Sequence, residues 1–350
     1  MKKIVYIVGT RPNYVKLCQL YKIFKFDKKN KNIIIDTGQH YSKSLNNNFF
    51  KEFKISKPDI KINKKVGKNT QIISKIYSKL PQILQKICPD KIVVFGDTNS
   101  SLAGAACASS LDIPVIHIEA GVRSFDPNSQ EEKNRVKIGK ISTYHFVPTM
   151  KAKKNLINEK VISKNIFFCG DIMFENFTKF KKYLKKKNIK EKYIFLTLHR
   201  SENVDKKSKL KKIINCLSKI NQKFINPIHP RTLKNFKKFK IKVPNNLDLI
   251  EPLSYQQTLN KIYNSQYVIT DSGGIQKESY FLKKRCIVLR DFTEWNEILS
   301  PRANILLKTK LKSKRIIKII ENFDHKFSDK KKNLFGTKNI AEKIYKRIIQ

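Results

Sequence analysis

The chain has 350 residues, of which 40% are hydrophobic, so it can bury a sizeable core, and its length suggests two domains. No apolar run reaches the ~18 residues of a membrane-spanning helix, and the short apolar run at 3–8 is predicted to be a β-strand rather than part of a signal peptide. The six cysteines are scattered, with no C-x-x-C pair, which predicts a reduced, cytoplasmic protein and excludes a disulfide-rich scaffold.

The formal net charge of +46 raises the question of nucleic-acid binding, because basic surfaces attract phosphates. The lysines are spread along the chain, for example through a predicted helical segment at 179–192, and no basic stripe accompanies a nucleic-acid-binding motif. We interpret the lysines as solvent-facing residues. The alternative from another functional class is a basic nucleic-acid-binding protein.

Arginine is scarce, at 10 of the 74 basic residues, and its planar guanidinium group suits phosphate or carboxylate. Six arginines follow strand-like runs: Arg11, Arg123, Arg135, Arg200, Arg231 and Arg290.

Short apolar runs alternate with helix-like segments along the chain. The runs do not alternate in polarity, which is typical of parallel strands buried on both faces, and the alternation with helices predicts βαβ units. The runs lie at 3–8, 32–36, 91–95, 114–118, 144–147, 165–169, 193–198, 224–228, 247–250, 267–270 and 286–289. The helical stretches include 12–26, 69–87, 98–110 and 274–283, and the last segment, 339–350, is amphipathic by spacing.

This series of strands and helices divides in two near residues 169–172. We predict an α/β fold of two Rossmann-like, doubly wound domains with a cleft between them and ligands at the carboxyl ends of the strands. The predicted limits are 1–169 for the N-terminal domain and 170–336 for the C-terminal domain, with a C-terminal helix at 337–350.

The segment GTRPNYVKL (9–17) predicts an anion site. A glycine turn leads into a proline at a helix start, and Arg11 and Lys16 lie beside it. Because a helix amino terminus presents unpaired N–H groups and a positive dipole end, it favours phosphate. The alternative is an ordinary strand–helix turn with solvated charges.

The segment TDSGGIQKE (270–278) predicts a second anion site. Asp271 or Ser272 is placed to cap a helix, and Gly273 and Gly274 allow close approach of a diphosphate. Glu278, on the same helix, is placed to accept hydrogen bonds from ribose hydroxyls. The alternative is a capped helix with a tight turn.

Carboxylates follow two of the predicted strands. Asp97 comes directly after the run at 91–95 and Glu119 directly after the run at 114–118. If these strands are neighbours, both carboxylates share one crevice and raise each other's pKa, which makes them usable as acids and bases. Glu131 adds a third carboxylate, while Arg123 and Arg135 are expected to hold the loop and keep selected carboxylates ionised. The alternatives are that Asp97 only caps the next helix and that this is a solvated loop.

The histidines fall into two classes. His199 and His229 stand at loop entrances after strands of the second half, where we predict ligand roles. His117 and His145 lie inside apolar runs and are predicted to be core residues. No set of His, Cys and carboxylate residues has metal-ligand spacing, and there is no G-x-S-x-G elbow.

Together these segments resemble the non-hydrolysing UDP-N-acetylglucosamine 2-epimerase family over nearly the whole chain. The matching elements are GTRPNYVKL (9–17), TGQHY (37–41), FGDTNSSLAGA (95–105), HIEAGVRSFD (117–126), EExNR (131–135), GDIMFEN (170–176), HRSEN (199–203), HPR (229–231), LIEPLSY (249–255), TDSGGIQKE (270–278) and LRDFTEWNE (289–297). The resemblance implies a fold similar to B-type glycosyltransferases, a last helix that packs back on the first domain, and a homodimer.

The resemblance also implies a mechanism. A base removes the C2 proton of UDP-GlcNAc, UDP leaves by anti elimination, and the 2-acetamidoglucal intermediate adds UDP again with protonation on the opposite face, which gives UDP-ManNAc. It implies no metal and no NAD. The residues implied for proton transfer and leaving-group support are Asp97, Glu119, Glu131 and His199. Those implied for UDP are Arg11, Lys16, His229, Ser272, Gly273, Gly274 and Glu278.

Other readings stay open beside this one. Trp295 stands where many family members have an arginine near the diphosphate. Some relatives with TEW-type sequences act on UDP-2,3-diacetamido-2,3-dideoxy-glucuronic acid, which is the alternative substrate. A hydrolysing epimerase and a retaining glycosyltransferase of the same fold are further alternatives. Some bacterial relatives bind a second UDP-GlcNAc as an activator, and Gln39, His40 and Arg200 match that candidate regulatory site.

Overall fold

The computed structural model describes residues 1–39, 50–62, 69–187, 191–329, 331 and 333–350. The chain forms two compact units: unit 1 comprises Met1–Lys179 and Lys332–Gln350, and unit 2 comprises Phe180–Lys331. Among the described residues, no helix combines the length and the hydropathy that crossing a lipid bilayer requires.

Both units are built from parallel strands and the helices that connect them. The strands are β1 (Lys3–Val8), β2 (Lys31–Asp36), β3 (Ile60–Lys61), β4 (Lys91–Phe95), β5 (Val115–Ile118), β6 (Tyr144–Val147), β7 (Ile166–Phe168), β8 (Tyr193–Thr197), β9 (Lys223–Pro227), β10 (Leu247–Ile250), β11 (Val268–Thr270), β12 (Cys286–Val288) and β13 (Asn304–Leu306).

The α-helices vary in length from one turn to five. They are α1 (Arg11–Phe24), α2 (Asn69–Ile87), α3 (Asn99–Ser109), α4 (Gln130–Ile141), α5 (Met150–Asn158), α6 (Ile172–Lys181), α7 (Ser201–Val204), α8 (Lys207–Leu217), α9 (Pro230–Phe239), α10 (Tyr255–Asn264), α11 (Gly273–Phe281), α12 (Ser313–Glu321) and α13 (Ile340–Ile349).

The sheet of unit 1 has, among the described residues, the strand order β3-β2-β1-β4-β5-β6-β7, with every pairing parallel. The order reverses between β1 and β4, and ligands of open α/β sheets bind outside the carboxyl ends of strands at such a point. Residues 4–8 of β1 are fully buried, as expected for a central strand covered on both faces.

The sheet of unit 2 repeats this plan in the order β10-β9-β8-β11-β12-β13, again with parallel pairing throughout. Its reversal point lies between β8 and β11, so the loops after these two strands are expected to carry ligand contacts. Its largest core cluster, which includes Ile194, Leu196, Ile269 and Ile287, packs helices against the sheet.

The predicted α/β class with two doubly wound, Rossmann-like sheets is confirmed. The helical interpretation of 179–192 is wrong, because α6 ends at Lys181 and the next described residues, 182–187, are not helical. Asn260 and Asn264 instead bind the backbone of this segment, since their side-chain oxygens accept from the N–H groups of Lys185 and Lys187 at 3.0 and 2.9 Å. Hydrogen bonds to side chains of α10 thus take the place of the backbone hydrogen bonds that a helix would have supplied.

The last helix, α13, belongs to unit 1. The Tyr345 hydroxyl donates to the Asp27 carboxylate at 2.6 Å. Lys2 and Lys91 donate to the backbone oxygens of Ile349 and Ile348 at 2.8 and 2.9 Å. Lysines suit this position because the carbonyls of a helix carboxyl terminus carry partial negative charge.

Candidate functional site

A buried asparagine connects the carboxyl ends of β1 and β4. The Asn13 side-chain oxygen accepts from the Thr10 N–H at 3.1 Å and from the Thr10 hydroxyl at 2.8 Å, which caps helix α1. Its amide group donates to the Phe95 carbonyl at 3.0 Å. Asn13 therefore fixes where α1 begins relative to the loop after β4.

Lys16 and Glu119 form an ion pair at this edge of the sheet. The Lys16 Nζ lies 2.6 Å from Glu119 Oε1, and the two side chains are only 6% and 13% exposed. Gly96 makes room for them: it has φ of +61°, and a Cβ there would lie 2.7 Å from Lys16 Nζ and 3.3 Å from Glu119 Oε1. A larger residue would therefore displace the pair.

Glu119 itself adopts a backbone conformation that side-chain-bearing residues rarely take, with φ of +67°. It follows β5 directly, and β5 is the neighbour of β4, with the Gly96 N–H donating to the Ile118 carbonyl at 2.8 Å. Left-handed non-glycine residues cost energy and concentrate at functional sites. This strain, together with its buried ion pair, singles out Glu119 among the carboxylates of unit 1.

Asp97 is paired with a different cation. Its carboxylate makes a short contact with Arg135, which also lies 3.0 Å from Glu132 Oε2. Asn134 donates to the Asp97 carbonyl at 2.9 Å. The expected proximity of β4 and β5 is thus present, but Asp97 and Glu119 each face a cation of their own.

Glu132 holds the loop after β5. Its carboxylate accepts hydrogen bonds from the Ser124 N–H and hydroxyl, both at 2.9 Å, and from the Phe125 N–H at 3.0 Å. Burial acts to raise the pKa of Glu132, but these hydrogen bonds and the Arg135 charge outweigh it and lower that pKa below its usual value. Its neighbour Glu131 is half-buried and accepts from the Ser129 hydroxyl at 3.1 Å.

The other two arginines of this region have separate positions. Arg123 donates from Nε and Nη2 to the two carboxylate oxygens of Glu159, both at 2.7 Å, which ties the loop after β5 to the end of α5. Arg11, at the first position of α1, is exposed.

The predicted core histidines are confirmed, since His117 and His145 are 0% and 1% exposed. Burial lowers the pKa of His117 to about 3 and that of His145 to about 4.

In unit 2, a fully buried aspartate lies where β11 ends. The Asp271 carboxylate accepts from the His199 N–H at 3.0 and 3.1 Å and from the Arg200 N–H at 3.0 Å. It also accepts from the Asn203 amide group at 3.1 Å. Asp271 thereby holds the turn that follows β8, which is the neighbour of β11 in this sheet.

The two predicted ligand histidines lie together. The rings of His199 and His229 are stacked, with centroids 5.3 Å apart and an interplanar angle of 30°. His199 Nδ1 lies 3.4 Å from Asp271 Oδ1, and His229 Nδ1 accepts from the Arg231 N–H at 3.1 Å as the cap of helix α9. Burial lowers the pKa of His199, while Asp271 acts in the opposite direction.

Helix α11 begins where the second anion site is predicted. Ser272 is its cap and accepts from the Ile275 N–H at 3.4 Å. A Cβ at Gly273 would overlap Glu294 Oε1, so the carboxylate of Glu294 lies against the start of this helix. Gly274 occupies the first turn, and Glu278, further along, is 5% exposed.

Buried charged and aromatic groups surround this helix start. Arg290, 2% exposed, lies 2.6 Å from Glu294 Oε2. Arg200 Nη2 lies 3.6 Å from Glu294 Oε1. Lys277 Nζ lies 4.0 Å from the centroid of the Trp295 ring, and Trp295 is 2% exposed. The tryptophan that replaces the expected arginine is therefore a buried residue beside the start of α11.

The candidate regulatory residues are only partly described. The Gln39 side-chain oxygen accepts from the Ser100 N–H at 2.9 Å and from its hydroxyl at 2.7 Å. His40 lies outside the described residues, and Arg200 lies near Glu294 as given above. Within the part of the chain that the structure describes, no group of three or more His, Cys, Asp or Glu side chains is placed to hold a metal ion.

Sequence reasoning missed several residues of these sites. The sequence predicts Asp271 or Ser272 as the cap of α11; Ser272 takes that role, and Asp271 accepts hydrogen bonds from the turn after β8. Asn13, Glu132 and Glu294 were not singled out. The spacing of Ser129 and Glu132 is typical of a capping box, but the Glu132 carboxylate accepts from Ser124 and Phe125 instead, so this pattern predicts a different contact.

Comparison with known proteins gives a consistent result. The family model described as UDP-N-acetylglucosamine 2-epimerase matches residues 24–349. A UDP-N-acetylglucosamine 2-epimerase homolog of Methanococcus maripaludis is 40% identical, over 98% of this chain and 98% of the relative. A UDP-2,3-diacetamido-2,3-dideoxy-D-glucuronate 2-epimerase of Pseudomonas aeruginosa is 34% identical, over 87% of this chain and 88% of the relative.

Solved structures agree with these matches. The chain is similar to a Methanocaldococcus jannaschii UDP-GlcNAc 2-epimerase in complex with UDP-GlcNAc and UDP, with a TM-score of 0.91 and 36% identity over 99% of both chains. A lipopolysaccharide outer core galactosyltransferase, at 10% identity, a TM-score of 0.54 and coverage of 99% of both chains, shares the fold alone. The expected likeness to B-type glycosyltransferases is therefore confirmed at the level of the fold.

Proposed function

The chain belongs to the UDP-N-acetylglucosamine 2-epimerase family, and on this premise we propose that it interconverts UDP-GlcNAc and UDP-ManNAc without net hydrolysis. The relative of known structure is described as bound to UDP-GlcNAc and UDP, which supports this substrate class. The observation that carries the proposal is the buried Lys16–Glu119 pair on a strained backbone at the switch point of unit 1.

The chemistry has two demands. The C2 proton of the sugar is only weakly acidic, so a base must be positioned on it while the departing UDP oxygen is stabilised. In the forward direction the base takes the C2 proton, the C1–O bond to UDP breaks with its electron pair on the oxygen, and 2-acetamidoglucal and UDP result. UDP then bonds to C1 again, and an acid delivers a proton to the opposite face of C2.

We assign the proton transfers to carboxylates of unit 1. Glu119 is the base, and its carboxylate is held by Lys16 Nζ at 2.6 Å. We assign the second proton transfer, on the opposite face of C2, to Asp97 and Glu131. Asp97 is oriented by Arg135, and Glu131 accepts from the Ser129 hydroxyl. Lys16 is predicted from the sequence as a UDP ligand, and in the structure its Nζ pairs with Glu119.

We assign UDP binding and leaving-group support mainly to unit 2. The amino terminus of α11, with Ser272, Gly273 and Gly274, favours a diphosphate through its N–H groups and dipole. Glu278 is assigned to the ribose hydroxyls, and Arg11 of unit 1 to a phosphate. His199 and His229 are assigned to the departing phosphate oxygen.

Product analysis tests the absence of hydrolysis. Purified protein with UDP-GlcNAc is followed by ³¹P and ¹H NMR, and we expect UDP-ManNAc to appear while the diphosphate ester signals persist. Free N-acetylmannosamine with stoichiometric UDP would contradict the proposal and indicate the hydrolysing reaction. The matched variant Glu119→Gln should show neither product above about 1% of the wild-type rate, as expected for loss of a general base.

A second substrate is favoured by one residue. Trp295 cannot pair with a phosphate, and the Pseudomonas aeruginosa relative, 34% identical, is described as acting on a 2,3-diacetamido uronic acid. We therefore expect UDP-2,3-diacetamido-2,3-dideoxy-glucuronic acid to be the alternative substrate. Comparison of kcat/KM for the two nucleotide sugars decides between them, and Trp295→Arg should shift the ratio toward UDP-GlcNAc if Trp295 sets the preference.

A further inference from the structure

Asp271 holds the turn after β8, and its contact with the His199 ring goes beyond that structural role. Asp271 follows β11 and is fully buried. Its carboxylate accepts hydrogen bonds from the backbone N–H groups of His199 and Arg200 and from the Asn203 side-chain amide. All of these groups donate, as expected for an ionised carboxylate that is buried and stabilised by hydrogen bonds. The same carboxylate lies 3.4 Å from Nδ1 of the His199 ring.

At 3.4 Å this is a close polar contact rather than a hydrogen bond with good geometry, and it favours a proton on Nδ1 of His199. A carboxylate oxygen can only accept, so a neutral imidazole gains most from it with the proton on Nδ1. The other nitrogen, Nε2, is then an acceptor in the neutral ring and a donor in the protonated ring. A carboxylate that orients a histidine in this way fixes the tautomer and stabilises the imidazolium.

The stacked partner ring has the opposite arrangement. His229 Nδ1 accepts from the Arg231 N–H at 3.1 Å, so the proton of neutral His229 lies on Nε2. Protonation of its Nδ1 would remove that cap of α9. The two rings lie 5.3 Å apart. His229 therefore presents an Nε2–H donor, and His199 presents an Nε2 that accepts a proton when the ring is neutral and donates one when it is protonated.

We propose that Asp271 is the positioning residue of His199: it holds the His199 proton on Nδ1 and supports the imidazolium, so that Nε2 exchanges a proton with the departing or returning diphosphate oxygen. The second half of this proposal rests on the proposed function, whereas the first half concerns the protein without substrate. The charged groups around His199 are Asp271, Arg200, Arg231 and Arg290. Burial and the three arginines oppose protonation of His199, whereas Asp271 favours it.

The test is nitrogen NMR of ¹⁵N-histidine-labelled protein without substrate, with titration from about pH 5 to about pH 8, where histidines change charge. His199 is assigned among the six histidines by its loss in His199→Gln. In the wild type we expect the neutral His199 ring to carry its proton on Nδ1. In Asp271→Asn we expect its tautomer to shift toward Nε2–H and its pKa to fall.

A matched control separates this effect from loss of charge in general. Asp248 is a carboxylate of the same unit, 46% exposed, that lies 3.3 Å from Lys223. Asp248→Asn should leave the His199 signals and kcat unchanged. In Asp271→Asn we expect kcat to fall about 10- to 100-fold with KM within about threefold, since the amide oxygen can still accept from the turn N–H groups whereas the charge that supports the imidazolium is lost.

Two results would overturn the proposal. One is a wild-type spectrum in which neutral His199 carries its proton on Nε2, which needs no variant and so holds even if Asp271→Asn fails to fold. The other is a folded Asp271→Asn variant with the wild-type tautomer and pKa, which would reduce Asp271 to a structural ligand of the turn. Absence of epimerase activity in the wild type would contradict the proposed function but would leave the tautomer measurement unaffected.

Discussion

Removal of the Lys16 ammonium tests the central ion pair of unit 1 most informatively. At 2.6 Å, unit charges attract by about 6 kcal/mol at an effective dielectric constant of about 20. The net contribution is smaller, because both groups lost their hydration. With side chains only 6% and 13% exposed, Lys16→Met leaves an uncompensated, largely buried carboxylate, which costs about 3–5 kcal/mol.

The assay is urea unfolding followed by circular dichroism. For a unit of this size, a loss of 3–5 kcal/mol moves the transition midpoint by about 1 M or more. Lys346→Met is the matched control, since Lys346 pairs with Glu342 at 2.8 Å across an exposed helix surface, with side chains 68% and 47% exposed. It should cost less than about 0.5 kcal/mol.

A double variant completes the test. In Lys16→Met/Glu119→Gln no buried charge is left unpaired, so this protein should be more stable than Lys16→Met alone. The reasoning is refuted if Lys16→Met costs under about 1 kcal/mol, the range of exposed pairs, or if the double variant is the less stable of the two.

Three further predictions concern Gly96, Gly273 and the two buried histidines. Gly96→Ala places a Cβ 2.7 Å from Lys16 Nζ on a backbone with positive φ. We therefore expect the free energy of unfolding in urea to fall by about 1–2 kcal/mol, together with a lower kcat. Wild-type values of both would contradict the assigned role of this glycine. Gly273→Ala should weaken UDP binding at least about tenfold, as measured by calorimetry, because its methyl group overlaps the buried Glu294 carboxylate at the start of α11. An unchanged affinity would mean that the diphosphate binds elsewhere. The free energy of unfolding should fall between pH 8 and pH 5.5 by about 1.4 kcal/mol for each of His117 and His145, because the unfolded chain binds protons near pH 6.5 while burial keeps the folded pKa values at about 3 and about 4. His117→Gln should remove its share of that pH dependence, and an unaltered slope would show that His117 is not the source.

The strands and the class of fold could be predicted because their signal is local. Buried parallel strands are continuous apolar runs, so β4 is predicted at its observed limits, 91–95. The two-residue strand β3 was not predicted, since two residues carry no pattern. The segment at 179–192 has many strong helix formers, but side chains of a distant helix, Asn260 and Asn264, bind its backbone.

The positions of the candidate residues at strand ends could be predicted from the sequence, but their pairings could not. Residues at strand ends are visible in the sequence, which is why Asp97, Glu119 and His199 were identified. Which cation faces which carboxylate depends on helix α1 and helix α4, and so the pairs Lys16–Glu119 and Arg135–Asp97 were not foreseen. A sequence contains no direct record of such long-range contacts.

The proposed elimination and re-addition is tested most directly by isotope exchange at C2. UDP-GlcNAc is incubated with the protein in D₂O, and the sugar C2 positions of substrate and product are followed by ¹H NMR and mass spectrometry. The account predicts UDP-ManNAc that carries one deuterium at C2, formed by the wild type and not by Glu119→Gln. Product that retains the original C2 proton, or full exchange by Glu119→Gln at the wild-type rate, would contradict it.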